Sequence, residues 1–226
     1  MDPLAGSNWS DPGTVTGFSR SPPNPVLMGF ADTVAADGGG RRALDLGCGA
    51  GRNAVPLAQR GWSVLGTDLS WPMLTAAVER ARAAGVSARS GWALAPMEQV
   101  PARADSFDLV VAHGIWNLAP SAHVFRAAVA DAARVSRPGA ALFVFTFSRN
   151  TLPEGAAPVA NEPFVFTQFS GLPQCFLTYQ ELHEELAAVG FTPDPSVPVT
   201  EHNRPSPRAR RVGGPPVIWE CAFRLG

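Results

Sequence analysis

The amino-acid sequence predicts an α/β fold in which a doubly wound, mostly parallel sheet carries helices on both faces. Three observations carry this. Apolar runs of strand length alternate with longer segments of helical spacing along the 226 residues. Two of the runs, DLVVA at 108–112 and ALFVFTF at 141–147, are apolar almost without interruption, as strands buried on both faces are. The first strand candidate opens directly into a glycine-rich stretch, LDLGCGAGRN at 44–53, where a strand hands over to a helix.

Strands are expected at 43–46, 63–67, 88–94, 107–112 and 141–147. Helices fall between them. One at 53–60 follows the glycines, and one at 71–84 has Ser70 as N-cap and Pro72 in its first turn. A third, 121–135, ends before Arg137-Pro138-Gly139. The last, 178–189, starts with Thr178 and has Glu181 three places on, a capping box, and stops at Gly190. Beyond it, 191–200 and 216–225 read as two strands joined by the proline-rich stretch HNRPSPRARRVGG, an antiparallel pair that closes the sheet. Residues 8–25 and 149–175 fit no regular element. Long ordered loops at the carboxyl edge of a sheet commonly cover a site, and both segments carry aromatics: Trp9 and Phe18 in the first, Phe164, Phe166 and Phe169 in the second. Residues 1–25 and 149–177 are therefore expected as lids on one domain spanning 1–226.

Composition narrows the function classes. With 46% hydrophobic residues and a net charge of -1, the chain can bury one sizeable core and has no broad electrostatic footprint for nucleic acid. The basic cluster Arg208 to Arg211 stands among prolines and glycines and reads as a solvated loop. No apolar run approaches the ~18 residues of a membrane span, and MDPLAGSNWS lacks a basic start and an apolar signal core, so a cytoplasmic protein is expected. Cys48, Cys175 and Cys221 are odd in number and lack CxxC spacing, which suggests neither disulfides nor a metal site; each reads as a small buried apolar residue. Every basic residue is arginine, which removes Schiff-base chemistry and a lysine base.

The glycine loop asks for a ligand close to the backbone at a strand end. Gly47, Gly49 and Gly51 permit positive φ and remove the Cβ atoms that would hold a ligand away. A dinucleotide fingerprint reads GxGxxG, with a third glycine for helix packing; here Arg52 stands in that place and the spacing is GxGxG, which places a nicotinamide dehydrogenase last among the readings. Asp68, in VLGTDLS, ends the next strand, where a carboxylate can accept both hydroxyls of a ribose or serve as a turn or cap residue.

Taken in order, LDLGCGAGRN, VLGTDLSWPML, FDLVVAHGIWNL and RVSRPGAALFVFTF resemble the class I S-adenosylmethionine-dependent methyltransferases over residues 25–226. The resemblance implies a Rossmann-like seven-stranded sheet of order 3-2-1-4-5-7-6 with the last strand antiparallel. It also implies S-adenosyl-L-methionine as cofactor, leaving S-adenosyl-L-homocysteine as product. By the same resemblance Asp45, Gly47, Cys48, Gly49, Gly51 and Asn53 line the methionine moiety, Asp68 holds the ribose hydroxyls, and Leu69 and Met73 pack near the adenine. Family members often carry an aspartate after the third strand; here Pro96 stands there, leaving Met97 and Glu98 to approach the adenine.

Methyl transfer from a sulfonium is an in-line displacement, so alignment and exclusion of water supply most of the catalysis; a base is needed only when the acceptor must lose a proton. His113, Trp116 and Asn117, after the fourth strand, are the catalytic candidates, and His113 also faces the cofactor's methionine end by family position. His113 is equally readable as a satisfied polar residue. His123 and His183 read as helix-surface residues. NLAP at 117–120 matches neither the [ND]PP[YFW] run nor the Pro-Cys nucleophile of DNA methyltransferases. The GRN ending of the glycine loop, the aromatic front segment NWSDPGTVTGF and the short chain resemble the small-molecule branch, most nearly the tellurite-resistance and thiopurine-type enzymes. That likeness implies a soft sulfur, selenium or tellurium acceptor, or a natural-product oxygen or nitrogen, enclosed by Phe164, Phe166, Phe169, Trp9 and Trp116. No nucleic-acid or membrane partner is expected. An RNA or protein methyltransferase, or a protein that binds the cofactor without catalysis, is the alternative.

Overall fold

A computed structural model describes residues 2–38, 41–204 and 214–226. The basic cluster at 208–211 lies outside the described residues. The first two strands, β1 (Arg42–Leu46) and β2 (Ser63–Asp68), pair in parallel; β3 (Ser90–Leu94) extends the sheet on one side. On the other side come β4 (Phe107–His113) and β5 (Ser136–Phe147), both parallel to β1. The small antiparallel pair β6 (Val165–Phe166) and β7 (Gln174–Cys175) stands apart, while β8 (Phe191–Pro193), β9 (Thr200–His202) and β10 (Ile218–Leu225) close the main sheet. The order is β3-β2-β1-β4-β5-β10-β8, with β10 antiparallel to its neighbours and β9 paired to β10. This is the 3-2-1-4-5-7-6 arrangement implied by the resemblance, with β8 and β10 as its sixth and seventh strands.

The helices are α1 (Pro12–Arg20), α2 (Pro25–Ala36), α3 (Ala54–Gln59), α4 (Trp71–Ala83), α5 (Ala122–Val135) and α6 (Tyr179–Ala187). Strand alternation divides the core into two layers. Leu44, Leu46, Val110, Ala112, Leu142, Val144, Cys221 and Phe223 face one layer with α5 and α6. Ala43, Leu109, Val111, Ala141, Phe143 and Ala222 face the other, against α2 and α3. The predicted caps are present. Ser70 Oγ accepts from the Met73 N–H at 3.3 Å, and Thr178 and Glu181 form the capping box at α6.

Four expectations need correction. Most of residues 8–25 is regular: a 3-10 turn at Asn8–Ser10 precedes α1, whose Asp11 cap accepts from Thr14 N–H at 2.9 Å, and after an extended link at 21–24 the unforeseen α2 follows with Asn24 as cap and Pro25 in its first turn. Residues 149–175 likewise contain a 3-10 turn, Arg149–Thr151, and the β6–β7 pair. The strand expected at 191–200 is split into β8 and β9, because Asp194 Oδ1 accepts from Ser196 N–H at 2.9 Å and turns the chain within DPSVP. Finally, β5 begins at Ser136, ahead of Pro138; Gly139, at φ +77°, absorbs the resulting register shift against β4.

One glycine fixes how β2, β3 and the loop after β1 fit together. A Cβ on Gly66 would lie 2.7 Å from the Trp92 ring and 2.8 Å from Cys48 Sγ. Gly66→Ala is therefore expected to destabilise the fold by about 1–3 kcal/mol through overpacking, read as a lowered urea midpoint. An unchanged midpoint would mean that the indole moves aside at no cost.

Candidate active site

Parallel register brings the site residues together at the carboxyl edge of the sheet. Leu46 on β1 pairs with Thr67 on β2 and with Ala112 on β4, so the next residues along, Gly47, Asp68 and His113, stand side by side. From Gly47 to Gly51 the chain turns with φ of +60°, +50° and +72° at its three glycines, values that L side chains avoid. At Gly47 the need is also steric, since a Cβ there would meet Ile115 Cδ1 at 2.6 Å. Backbone donors pin the turn: Cys48 N–H to Thr67 O and Gly49 N–H to Asp68 Oδ2, each at 2.9 Å. Asp68 Oδ1 accepts from Ser70 N–H at 2.8 Å. Each oxygen of Asp68 thus holds one backbone donor and keeps lone pairs for a vicinal diol.

The turn closes one end of a cavity of about 660 Å³. Among the residues expected from the sequence, Gly47, Gly49, Asp68, Leu69, Met73, Met97, Glu98, His113 and Asn117 border it. Asp45, Cys48, Gly51 and Asn53 stand behind this wall. Gly51 packs where a Cβ would touch Val55, Ala77 and Trp92, and Asn53 Oδ1 accepts from Asn24 N–H at 3.0 Å. Trp9 and Phe18 border the cavity, stacked edge-to-face at 5.8 Å, together with Leu4. The remaining expected aromatics do not. Trp116 is fully buried in the α5 layer against Phe125, at 5.9 Å between ring centres, and Phe164 packs on the other side of Phe125. Phe166 lies with Phe176 and Leu152 in a satellite core, and half-exposed Phe169 leans on Phe147. The position of Trp116 in a 3-10 turn, Trp116–Leu118, sends its side chain inward while Asn117 and Leu118 reach the cavity.

The apolar lining of the cavity was missed from sequence. Ile115, Leu118, Pro120, Val124, Phe145 and Phe147 make an apolar wall, with Gln174 beside it. Phe145 and Phe147 had a readable signal: they alternate at the carboxyl end of β5, the edge where such sheets bind ligands.

The titratable groups cluster around the glycine turn. Asp45 is buried and its Oδ2 has no hydrogen-bond partner. Burial pushes its carboxyl up to about 7; the Ala54 N–H opposes this, the Asp68 charge adds to it, and Arg52 offsets part. Burial also raises the Asp68 carboxyl, against the N–H groups of Ser70 and Gly49. His113 stacks on Phe145 with ring centres 4.2 Å apart and planes 5° apart, and burial followed by the Arg52 charge pushes it down to about 4, so the ring is neutral at pH 7. The three cysteines are buried and burial raises each thiol, Cys175 to about 12. No helix among the described residues is long and apolar enough to cross a membrane.

Residues 43–139 match a family model described as a methyltransferase domain. A ubiquinone biosynthesis O-methyltransferase of Rhizobium johnstonii is 30% identical over 201 residues, covering 83% of this chain and 78% of the relative. Among solved structures, the CcbJ methyltransferase from Streptomyces caelestis superimposes with a TM-score of 0.69 at 20% identity, covering 96% of this chain and 97% of the other. The Burkholderia thailandensis 1,6-didemethyltoxoflavin-N1-methyltransferase, solved with 1,6-didemethyltoxoflavin and S-adenosylhomocysteine bound, gives 0.62 at 20% identity and covers 89% and 78%.

Asp45 supplies a prediction with a definite sign. An acid whose folded pKa of about 7 exceeds its unfolded 3.8 leaves stability intact below the lower value and withdraws it as pH rises through the higher one. Stability of the ligand-free protein should therefore fall by a few kcal/mol from about pH 4 to about pH 8 through this residue, and Asp45→Asn should flatten that slope in urea titrations. Equal slopes in both proteins would remove Asp45 as the source. Trp116→Ala should cost about 3–5 kcal/mol of stability, because its indole fills the core. A fully stable variant with altered turnover would instead put it in the site.

Proposed function

The chain belongs to the class I S-adenosylmethionine-dependent methyltransferases, and from that premise we propose that it methylates a small organic acceptor with an apolar, largely planar body. The observation that carries this reading is one cavity lined both by the glycine turn with the carboxylates of Asp68 and Glu98 and by an extensive apolar, aromatic wall. Bound S-adenosylmethionine supplies a methyl group on a sulfonium sulfur.

The chain's own residues fit that cofactor. Buried Asp45, directly behind the glycine turn and with an Oδ2 that has no partner, favours a cationic ammonium group bound at that turn. Asp68 has the free lone pairs for two ribose hydroxyls, and Leu69, Met73 and Met97 give a purine apolar faces. Glu98 offers a carboxylate to an exocyclic amine at the same end. The acceptor body lies against Ile115, Leu118, Val124, Phe145 and Phe147, which orient it and exclude water. Asn117 and Gln174 provide polar handles. Leu4, Trp9 and Phe18 act as the lid over this assembly, and Phe147 connects the second segment to it through Phe169.

The apolar wall disfavours a soft oxyanion acceptor and the alternative of an RNA substrate. A bare oxyanion such as tellurite finds almost no donors there, since Arg52 is the one arginine among the described residues bordering the cavity and its Nε already donates to Pro22 O at 2.6 Å. The same scarcity of cations weighs against an RNA substrate. The relative's O-methyltransferase name and the toxoflavin enzyme's ring substrate accord with an oxygen or nitrogen on a planar organic acceptor.

The test begins with calorimetry. S-adenosylmethionine and S-adenosylhomocysteine should bind saturably and NAD should not, with Asp68→Ala weakening both by roughly tenfold or more. A panel of planar phenols and N-heterocycles, run beside thiols, selenite, tellurite and RNA, should then give methylated product only from the organic set. Phe147→Ala should raise the acceptor KM several-fold with S-adenosylhomocysteine affinity nearly unchanged. Turnover confined to oxyanions or RNA would overturn the reading.

A further inference from the structure

Asn24 carries no signal in the sequence beyond a capping residue type, yet this buried residue, through its backbone N–H and its side chain, joins four parts of the molecule. Its N–H donates to Asn53 Oδ1 beside the glycine loop at 3.0 Å, and its Oδ1 accepts from Leu27 N–H in the first turn of α2 at 3.0 Å. Its Nδ2 donates to Glu220 Oε2 on β10 at 2.7 Å and lies 3.4 Å from His113 Nε2. These partners fix the amide. Leu27 N–H needs an acceptor and the carboxylate needs a donor, so Oδ1 and Nδ2 cannot be exchanged. An amide nitrogen carries only hydrogens, and His113 therefore turns an unprotonated Nε2 toward it and keeps its ring proton on Nδ1.

We propose that Asn24 is a positioning residue that holds His113 as a neutral, Nδ1-protonated wall of the cavity and so keeps a second positive charge away from the cofactor's sulfonium. The charged and titratable groups around the ring make the need plain. Arg52 lies on the glycine-loop side, Glu220 stands behind Asn24, and half-exposed His202 on β9 bonds Glu220 Oε1 at 3.2 Å. A carboxylate facing the ring directly would favour imidazolium. The Asn24 amide stands between the two, donating to both, and because it holds no exchangeable lone pair on Nδ2 it also blocks proton passage from His113 to Glu220 and His202. Phe145, stacked on the ring, fills the adjoining space with an uncharged face. In this arrangement the Nε2 lone pair is engaged, and His113 is not the acceptor's base.

This inference rests on the cofactor, not on the identity of the acceptor, and its test reads binding. Asn24→Ser keeps a capping oxygen for α2 and removes the amide. Calorimetric affinities for S-adenosylmethionine and S-adenosylhomocysteine, which differ in the sulfonium charge, are compared at about pH 6 and about pH 8. The wild-type ratio should be the same at both. In Asn24→Ser the sulfonium form should weaken relative to the thioether by roughly tenfold at the lower pH, the size expected for two partly screened charges several ångströms apart, and recover at the higher. Identical ratios in both proteins would overturn the proposal. Nitrogen NMR of the wild-type imidazole gives a variant-independent check: Nε2 should be unprotonated, with no titration in the neutral range. A ring protonated at Nε2, or one titrating near pH 6.5, would also overturn it. Absence of wild-type binding to either compound would remove the cofactor premise, and this inference with it.

Discussion

Two carboxylates at the ends of neighbouring strands set the terms for the rest of the structure. Parallel pairing of β1 with β2 puts Asp45 beside Gly66 and leaves Asp68 one residue beyond the last pair, both under the glycine turn. Burial raises both groups, and Asp45 has an oxygen with no partner at all. Such a pair costs stability wherever it ionises. The fold tolerates it because two extensive apolar layers flank the sheet, and because every residue of the turn between the carboxylates is held by backbone bonds or close packing. Gly66 leaves room for Trp92, Trp92 reaches Gly51, and Gly51 leaves room for α3 and α4. The destabilising charges are thus confined to a rigid frame, where a ligand bearing complementary groups relieves them.

The parts of this frame that show a period in the sequence were legible. Strands buried on both faces leave uninterrupted apolar runs, and glycines at obligatory positive φ leave a pattern no helix or strand interior would keep. The resemblance then supplied strand order. What escaped has physical causes. In α1, PGTVTGFSR holds two glycines and two threonines, so propensity argues against a helix that Asp11, Pro12 and contact with α4 nevertheless hold. In α2, PVLMGFADTVAA buries Leu27, Met28, Phe30, Ala31 and Val34, but its exposed face includes Pro25, Val26, Gly29 and Ala36, so only Asp32 and Thr33 mark the polar stripe by which a helix is recognised. Trp116 and Asn117 are adjacent yet point to core and cavity, because a 3-10 turn follows neither the 3.6 nor the 2.0 period. The apolar wall at 115–124 and on β5 looked like core because half of each element is core. Asn24 was invisible for another reason: its partners lie 29, 89 and 196 residues away.

Charge is segregated along the cavity, and this segregation follows from the topology. Acidic residues sit at the ends of β1 and β2, where helix and turn N–H groups can partner them. At the ends of β4 and β5 the chain places His113, Phe145 and Phe147, and β10 brings a carboxylate, Glu220, against the same region from behind. Left bare, Glu220 would draw a proton onto His113 and make the apolar end cationic. The amide of Asn24 and the imidazole of His202 take up its two oxygens instead, one on each side. Under the proposed reading, a cofactor that is zwitterionic in its amino-acid part and cationic at sulfur would favour this division, with carboxylates near the glycine turn and no competing cation beside the sulfonium. The terminal strand inserted antiparallel between β5 and β8 is what delivers Glu220 to that position, so the feature that closes the sheet also creates the electrostatic problem that the start of α2 resolves.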